Sequence, residues 1–366
     1  MNIKKVFLFL YQSIRKSLQV LNHYNYSNST SLCVFNYSED DKIKVVWYFP
    51  KGDAEVSLSK NNAIVLINNI KLFLKWDILK NIHKTKIVDP NFYSLVEVSN
   101  WNSLLFSTYS AIKKEELLQL YKDNFTRMEL KYKRFTKSSI FLSGPSISKY
   151  KDFDFSDSVN IICNSLVKDK ELMSYVKPDI LVFADPVFHF SHNEYAQKFR
   201  EDMLVAVKEY DCFIVVPEFN APLLLEHYPW LEKNIIALPF KNNINFPTIS
   251  NFFVKGTDNI LTLFMIPFAS ALTDKIYIIG ADGRKKDETY FWKHNDDVQY
   301  SGLMQKAFDA HPSFFRDRNY KKYYDNHCNI LEQIIEHGEK NKKSYFSLTK
   351  SYIPSLENRY RPEGLK

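Results

Sequence analysis

Residues 139–148 read SIFLSGPSIS: a short apolar run, a glycine-proline pair, then polar residues. A chain with 8 glycines in 366 residues has few to spend on ordinary turns. Gly144 at the end of a strand is therefore either a simple break or a backbone kept bare so that a ligand can approach. The same rhythm recurs downstream. Strands are expected at SIFLS (139–143), VNIICN (159–164), DILVFAD (179–185), CFIVVPE (212–218), NIIAL (234–238) and KIYIIGAD (275–282), each followed by a helix-length or polar segment. Near-continuous apolar strands imply a parallel sheet covered on both faces. The expected fold class is α/β: a Rossmann-like, mostly parallel sheet with helices on both faces.

Between the strands, residues 191–210, 221–233 and 256–274 read as helices. The last is apolar almost throughout and so deeply buried, with Pro267 expected to kink or stagger it. After the final long strand comes a segment rich in Tyr, His and Asp, then a helix near 326–337 and a closing strand, SYFSL, at 344–348. Residues 1–136 differ in pattern, with hairpins expected at 33–37/43–48 and 54–59/63–67 and helices near 70–82 and 111–130. KYKRFTK (131–137) reads as the linker into the α/β part. The expected organisation is thus a basic α+β region over 1–136, a Rossmann-like domain over 137–350 and a basic tail over 351–366.

Composition narrows the function classes. With 45% hydrophobic, 16% aromatic and 25% charged residues, the chain is that of a folded protein rather than a disordered one. Its four cysteines stand far apart, so neither a zinc site nor a disulfide framework is indicated, and a reducing cytoplasm fits. The opening MNIKKVFLFLYQSIRKSLQVL brackets too few uncharged residues for a membrane span and reads as a surface helix. Residues 1–136 carry 20 lysines and arginines against 12 acidic residues, so the basic excess of the chain lies there. Such an excess suits a peripheral contact with an anionic membrane face; no basic block interleaved with aromatics points to nucleic acid.

The strand ends carry the candidate chemistry: Gly144-Pro145-Ser146, Asn164-Ser165, Asp185-Pro186 and Gly280-Ala281-Asp282-Gly283. In an open parallel sheet these converge on one crevice. Gly, Asn and Asp also simply end strands and cap helices, and each alone is open to that reading. No G-x-G-x-x-G follows the first strand, and no Walker-type loop, H-E-x-x-H or G-x-S-x-G occurs. Dinucleotide, Walker-type triphosphate, metalloprotease and serine-hydrolase readings lose their basis. No metal cluster is visible; Asp152-Phe153-Asp154 has the Asp-x-Asp form but lies in a loop.

The order FLSGPSIS, IICNSL, LVFADP, an apolar helix running into KIYIIGAD, then a Tyr-rich segment before a helix resembles the bacterial sialyltransferases of glycosyltransferase family 42 and their relatives that use CMP-activated ulosonic acids, including retaining Kdo transferases. The resemblance covers roughly residues 138–350. It implies a variant glycosyltransferase fold in which the G-P-S loop and the second-strand Asn hold CMP, places matched here by Gly144, Pro145, Ser146 and Asn164, with Ser165, Gly280 and Asp282 beside them. It further implies two tyrosines on the leaving phosphate, matched loosely by Tyr323 and Tyr324.

Two departures bear on mechanism. Asp185 stands where the sialyltransferase pattern has Asn, and the arginine expected before the apolar helix is missing from KGTDN. A carboxylate there is the nucleophile a retaining double displacement needs, or else a cap for the next segment. The catalytic histidine has two candidates, His311 and His327, and the His-Pro of retaining Kdo transferases favours His311. Glu218, another strand-end carboxylate, is a candidate base for the acceptor. Arg284 and Gln299 are candidate donor or acceptor contacts. The expected activity is transfer of a ulosonic acid, Kdo with retention or alternatively sialic acid, from a CMP-activated donor to a glycan or glycolipid acceptor. No cofactor or metal is expected, since CMP has one phosphate to neutralise. A non-catalytic nucleotide- or glycan-binding module is the competing class.

Overall fold

The computed structural model describes strands 31–35, 43–47, 54–55, 63–67 and 85–88, and residues 106, 109, 111–190, 193–284, 299–306 and 319–365. The helices expected at the chain start and at 70–82 lie outside the described residues, as does His311.

Five strands, β1 (Ser31–Phe35), β2 (Ile43–Trp47), β3 (Ala54–Glu55), β4 (Ala63–Ile67) and β5 (Thr85–Val88), make one sheet in the order β3-β2-β1-β4-β5. The β1/β2 hairpin is present as expected. The hairpin expected at 54–59/63–67 is not: β3 pairs with β2, while β4 runs parallel to both β1 and β5. AIVLI is a continuous apolar run, which suits a strand between two parallel neighbours better than a hairpin edge.

Helix α1 (Ala111–Tyr132) buries Leu117, Tyr121, Phe125, Met128 and Tyr132, a stripe at helical spacing. It absorbs the first residues of the expected linker, and β6 (Lys137–Phe141) takes the last, leaving 133–136 as the connector. The chain then continues through β7 (Val159–Cys163), α2 (Lys170–Val176), β8 (Ile180–Val182), α3 (Glu194–Tyr210), β9 (Phe213–Pro217), α4 (Ala221–His227), β10 (Ile235–Leu238), the short pair β11 (Phe240–Lys241) and β12 (Val254–Lys255), α5 (Ile266–Leu272), β13 (Lys275–Ile279), α6 (Tyr320–Lys340), β14 (Ser344–Ser347) and α7 (Pro354–Glu357).

The main sheet has seven strands, all parallel, in the order β10-β9-β8-β7-β6-β13-β14. The Rossmann-like α/β expectation is met. From β6 the chain steps outward to β10, then returns to place β13 on the other side of β6. Right-handed crossovers in opposite directions put their helices on opposite faces, so the crevice between β6 and β13 is the topological switch point. On one face α1 meets α5 through Phe125, whose ring stands edge-on to Phe268.

Pro267 falls where the winding of this segment changes. Leu261–Met265 form a wider π turn and α5 begins at Ile266, so the proline falls in a first turn where its missing N–H is tolerated. The segment expected as a tail is built into the body: Ile353, Leu356 and Leu365 are buried, and the Leu365 carbonyl accepts from the Asp154 N–H at 2.9 Å.

Candidate functional site

A cavity of about 470 Å³ opens at the carboxyl ends of β6, β7, β8, β9 and β13. Its floor is set by glycines. The Gly144 N–H donates to the Gly280 carbonyl at 2.9 Å, tying the loop after β6 to the loop after β13. A Cβ on Gly144 would stand 2.4 Å from that carbonyl, and one on Gly280, whose φ is +79°, would stand 2.0 Å from the Leu142 carbonyl. Both approaches require the absence of a side chain.

The rest of the G-P-S loop serves a different purpose from the one expected. Pro145 opens a 3-10 turn, and neither it nor Ser146 lines the cavity. The Ser146 N–H and hydroxyl both donate to the Asp282 carboxylate, the hydroxyl at 2.8 Å, and the hydroxyl also lies 2.8 Å from that of Thr349. Asp282 lines the wall, but its carboxylate is spent on Ser146; burial raises its pKa and the Ser146 donors oppose that. The pair clasps the loop after β6 to the loop after β13.

Asn164 and Ser165 do line the cavity. Asn164 has φ +49°, and among the described residues it is the one non-glycine residue with positive φ at a strand end; Lys177, Asp211 and Lys342 follow helices. Such a conformation is costly and is typical of functional sites. The Asn164 Oδ1 is buried with no hydrogen-bond partner. Ser165 bonds the Tyr195 hydroxyl, whose pKa burial pushes up to about 12.

Asp185 lies in the wall, and its Oδ1 accepts from the N–H groups of Val187 and Phe188 at 2.8 and 3.0 Å. It thus caps the π turn Pro186–Phe190, the capping reading of the sequence, and lines the cavity as well. That turn carries His189 beside it. The imidazole is 4% exposed, ringed by Phe183 and Phe199, and its Nδ1 has no hydrogen-bond partner. Burial pushes its pKa down to about 4, against the pull of Asp185, so the ring is neutral at pH 7. The buried Arg200 holds the His189 carbonyl at 3.1 Å.

Helix α6 closes the opposite side with Tyr323, Tyr324 and His327. Tyr323 donates to the Asp258 carbonyl at 2.8 Å. Tyr324 accepts from the Arg284 N–H at 3.2 Å, and the Arg284 guanidinium lies 4.7 Å from the centre of its ring. His327 is buried, its Nδ1 is also unpartnered, and desolvation pushes its pKa down to about 4. Thr257, Asp258 and Asn259, in the KGTDN stretch that lacks the expected arginine, complete this side.

Glu218 is not part of the site. Pro217 and Phe219 line the cavity and Glu218 does not; it lies near α1, where burial raises its pKa and the Lys114 charge lowers it. Among the described residues no group of three or more His, Cys, Asp or Glu side chains could hold a metal ion. No described helix is long and apolar enough to cross a membrane.

His189, Tyr195 and the 257–259 stretch escaped sequence reading. Asp185 and His189 stand four apart, a helical spacing that could have signalled their neighbourhood, but residues 186–190 read as a loop. No protein-family model matches this chain, no curated protein matches it, and no solved structure matches it.

Proposed function

We propose that the cavity binds a CMP-activated ulosonic acid and that the protein transfers the sugar, with retention, to a hydroxyl of a bacterial surface glycan or glycolipid. One observation carries this reading: Asn164 Oδ1, His189 Nδ1 and His327 Nδ1 are buried, lack hydrogen-bond partners and line the same cavity. Leaving such groups unmet costs about 1–3 kcal/mol each, and a ligand dense in hydroxyl and amino groups would satisfy them. Asn164 offers an acceptor to the cytosine amino group or a ribose hydroxyl.

In the proposed double displacement an Asp185 carboxylate oxygen bonds to the anomeric carbon as the bond to the CMP phosphate oxygen breaks, and CMP departs with the electron pair. The acceptor oxygen then attacks the same carbon, the carboxylate leaves, and the acceptor proton passes to a neutral imidazole, for which His189 is placed one turn from Asp185. A single phosphate needs no metal in this scheme. An acceptor at the inner membrane face of the cytoplasm would give the basic N-terminal third a use.

The capping bonds of Asp185 favour a second reading, a module that binds the donor without turnover. Asp185→Asn separates the two, because an amide oxygen still caps the turn but cannot serve as nucleophile. With CMP-Kdo and CMP-sialic acid offered separately, CMP release should fall at least on the order of a thousandfold in Asp185→Asn while CMP affinity persists. Equal release by both forms would exclude Asp185 as nucleophile, and binding without release in the wild type would favour the module.

A further inference from the structure

We infer that Arg284 is the oxyanion clamp of the cavity, holding a phosphate or carboxylate group of the bound molecule. The inference rests on the reading of the cavity as a nucleotide-sugar site and adds the group that anchors the charged end. Among the described residues Arg284 is the only lysine or arginine that lines the cavity, where Asp185, Asp258 and Asp282 would repel an anion. Both lining histidines are neutral at pH 7, since burial pushes each pKa down to about 4. Among the described residues, charge compensation therefore falls to one side chain.

That side chain is held for the task. It is 9% exposed, and its guanidinium lies over the ring of Tyr324, which restricts its rotation. Its backbone is fixed as well. Gly283 has φ +69°, and a Cβ there would stand 2.9 Å from the Tyr324 hydroxyl and 2.7 Å from Ile353 Cγ1. Only glycine lets the chain turn at this point so that the next residue lies beneath Tyr324. A planar guanidinium in a fixed place suits a two-oxygen face, and phosphate and carboxylate share that chemistry. The clamp sits on the β13 side of the cavity, across from Asp185 at the end of β8, so an anion on Arg284 would leave the adjoining sugar carbon to reach toward Asp185.

Calorimetric titration of the full chain with cytidine, CMP, inorganic phosphate and free Kdo tests this, using wild type, Arg284→Ala, Arg284→Gln and Arg284→Lys. CMP should bind Arg284→Ala roughly 10- to 100-fold more weakly than wild type, with cytidine unchanged. Arg284→Lys should recover part of the loss, and Arg284→Gln, which keeps most of the bulk, should behave as Arg284→Ala if the latter fails to fold. Loss confined to phosphate and CMP assigns the phosphate as the clamped group, and loss confined to Kdo assigns the carboxylate. Arg284-dependent binding of phosphate or Kdo with no affinity for cytidine or CMP would keep the clamp and reject the CMP reading. Unchanged anion affinity in all three variants, or no anion binding by the wild type, would overturn it.

Discussion

The two edges of the seven-stranded sheet treat their polar groups in opposite ways. At the amino ends buried polar side chains close on one another: Ser138 lies 2.8 Å from the Thr273 hydroxyl, Ser139 lies 2.8 Å from that of Ser158, and Asn234 donates to the Cys212 carbonyl. Asn160 donates to the Phe155 and Val176 carbonyls, and its Oδ1 alone is left over at that edge among the described residues. At the carboxyl ends Asn164, His189 and His327 are left with unmet atoms around a cavity, beside the closed Ser146–Asp282 pair. The contrast separates polar groups that hold the fold from polar groups that the proposed function assigns to a ligand.

The largest test of the contrast strikes the glycine contacts on which the open edge is built. Gly280→Ala must move backbone, because its Cβ would meet the Leu142 carbonyl and its φ is positive. Unfolding in urea should show a loss of about 3 kcal/mol or more. A loss below 1 kcal/mol would mean that the two loops are not locked together as described.

Acid should act next, and through the open edge. His189 and His327 are held neutral in the fold, with pKa values near 4 against the ordinary 6.5, so the unfolded chain binds protons first as pH falls. Stability is therefore full above pH 6.5 and declines through the window from 6.5 to 4, by up to about 3 kcal/mol for each ring. Chemical denaturation across that window measures the slope, and His327→Gln should reduce it. A slope that His327→Gln leaves unchanged would remove that ring from the account.

The smallest expected effect has opposite signs at the two edges. Asn164→Gly relieves a left-handed conformation and should stabilise the protein by about 0.5–1 kcal/mol while weakening CMP binding. Ser138→Ala should cost about 1 kcal/mol and leave binding untouched. If Asn164→Gly kept full affinity, the strained asparagine would have no ligand to justify it.

Much of this architecture was legible in short runs. Near-continuous apolar segments such as VNIIC and FIVVP carry the parallel sheet in their composition, and the residues just beyond them fall at its carboxyl edge by construction. What was not legible depends on distant partners. Ser146 and Asp282 read as ligand contacts because nothing local shows that they satisfy each other across the switch point. His189 looked like loop because its environment, Phe183 on one side and Phe199 on the other, comes from a strand and a helix that fold around it. Glu218 shows the reverse error: strand-end position alone did not reveal which way its side chain would turn.

The clasp between the loops after β6 and β13 also has a kinetic side. Ser146 and Asp282 are 136 residues apart in the chain, and β6 waits about as long for its second neighbour. Local pairing can build β6 through β10 in sequence, whereas closing the β6–β13 seam is a non-local step with a higher entropic barrier. During refolding, ligand competence should therefore trail the recovery of helical and strand signal, and the last event to complete would be the one that makes the cavity.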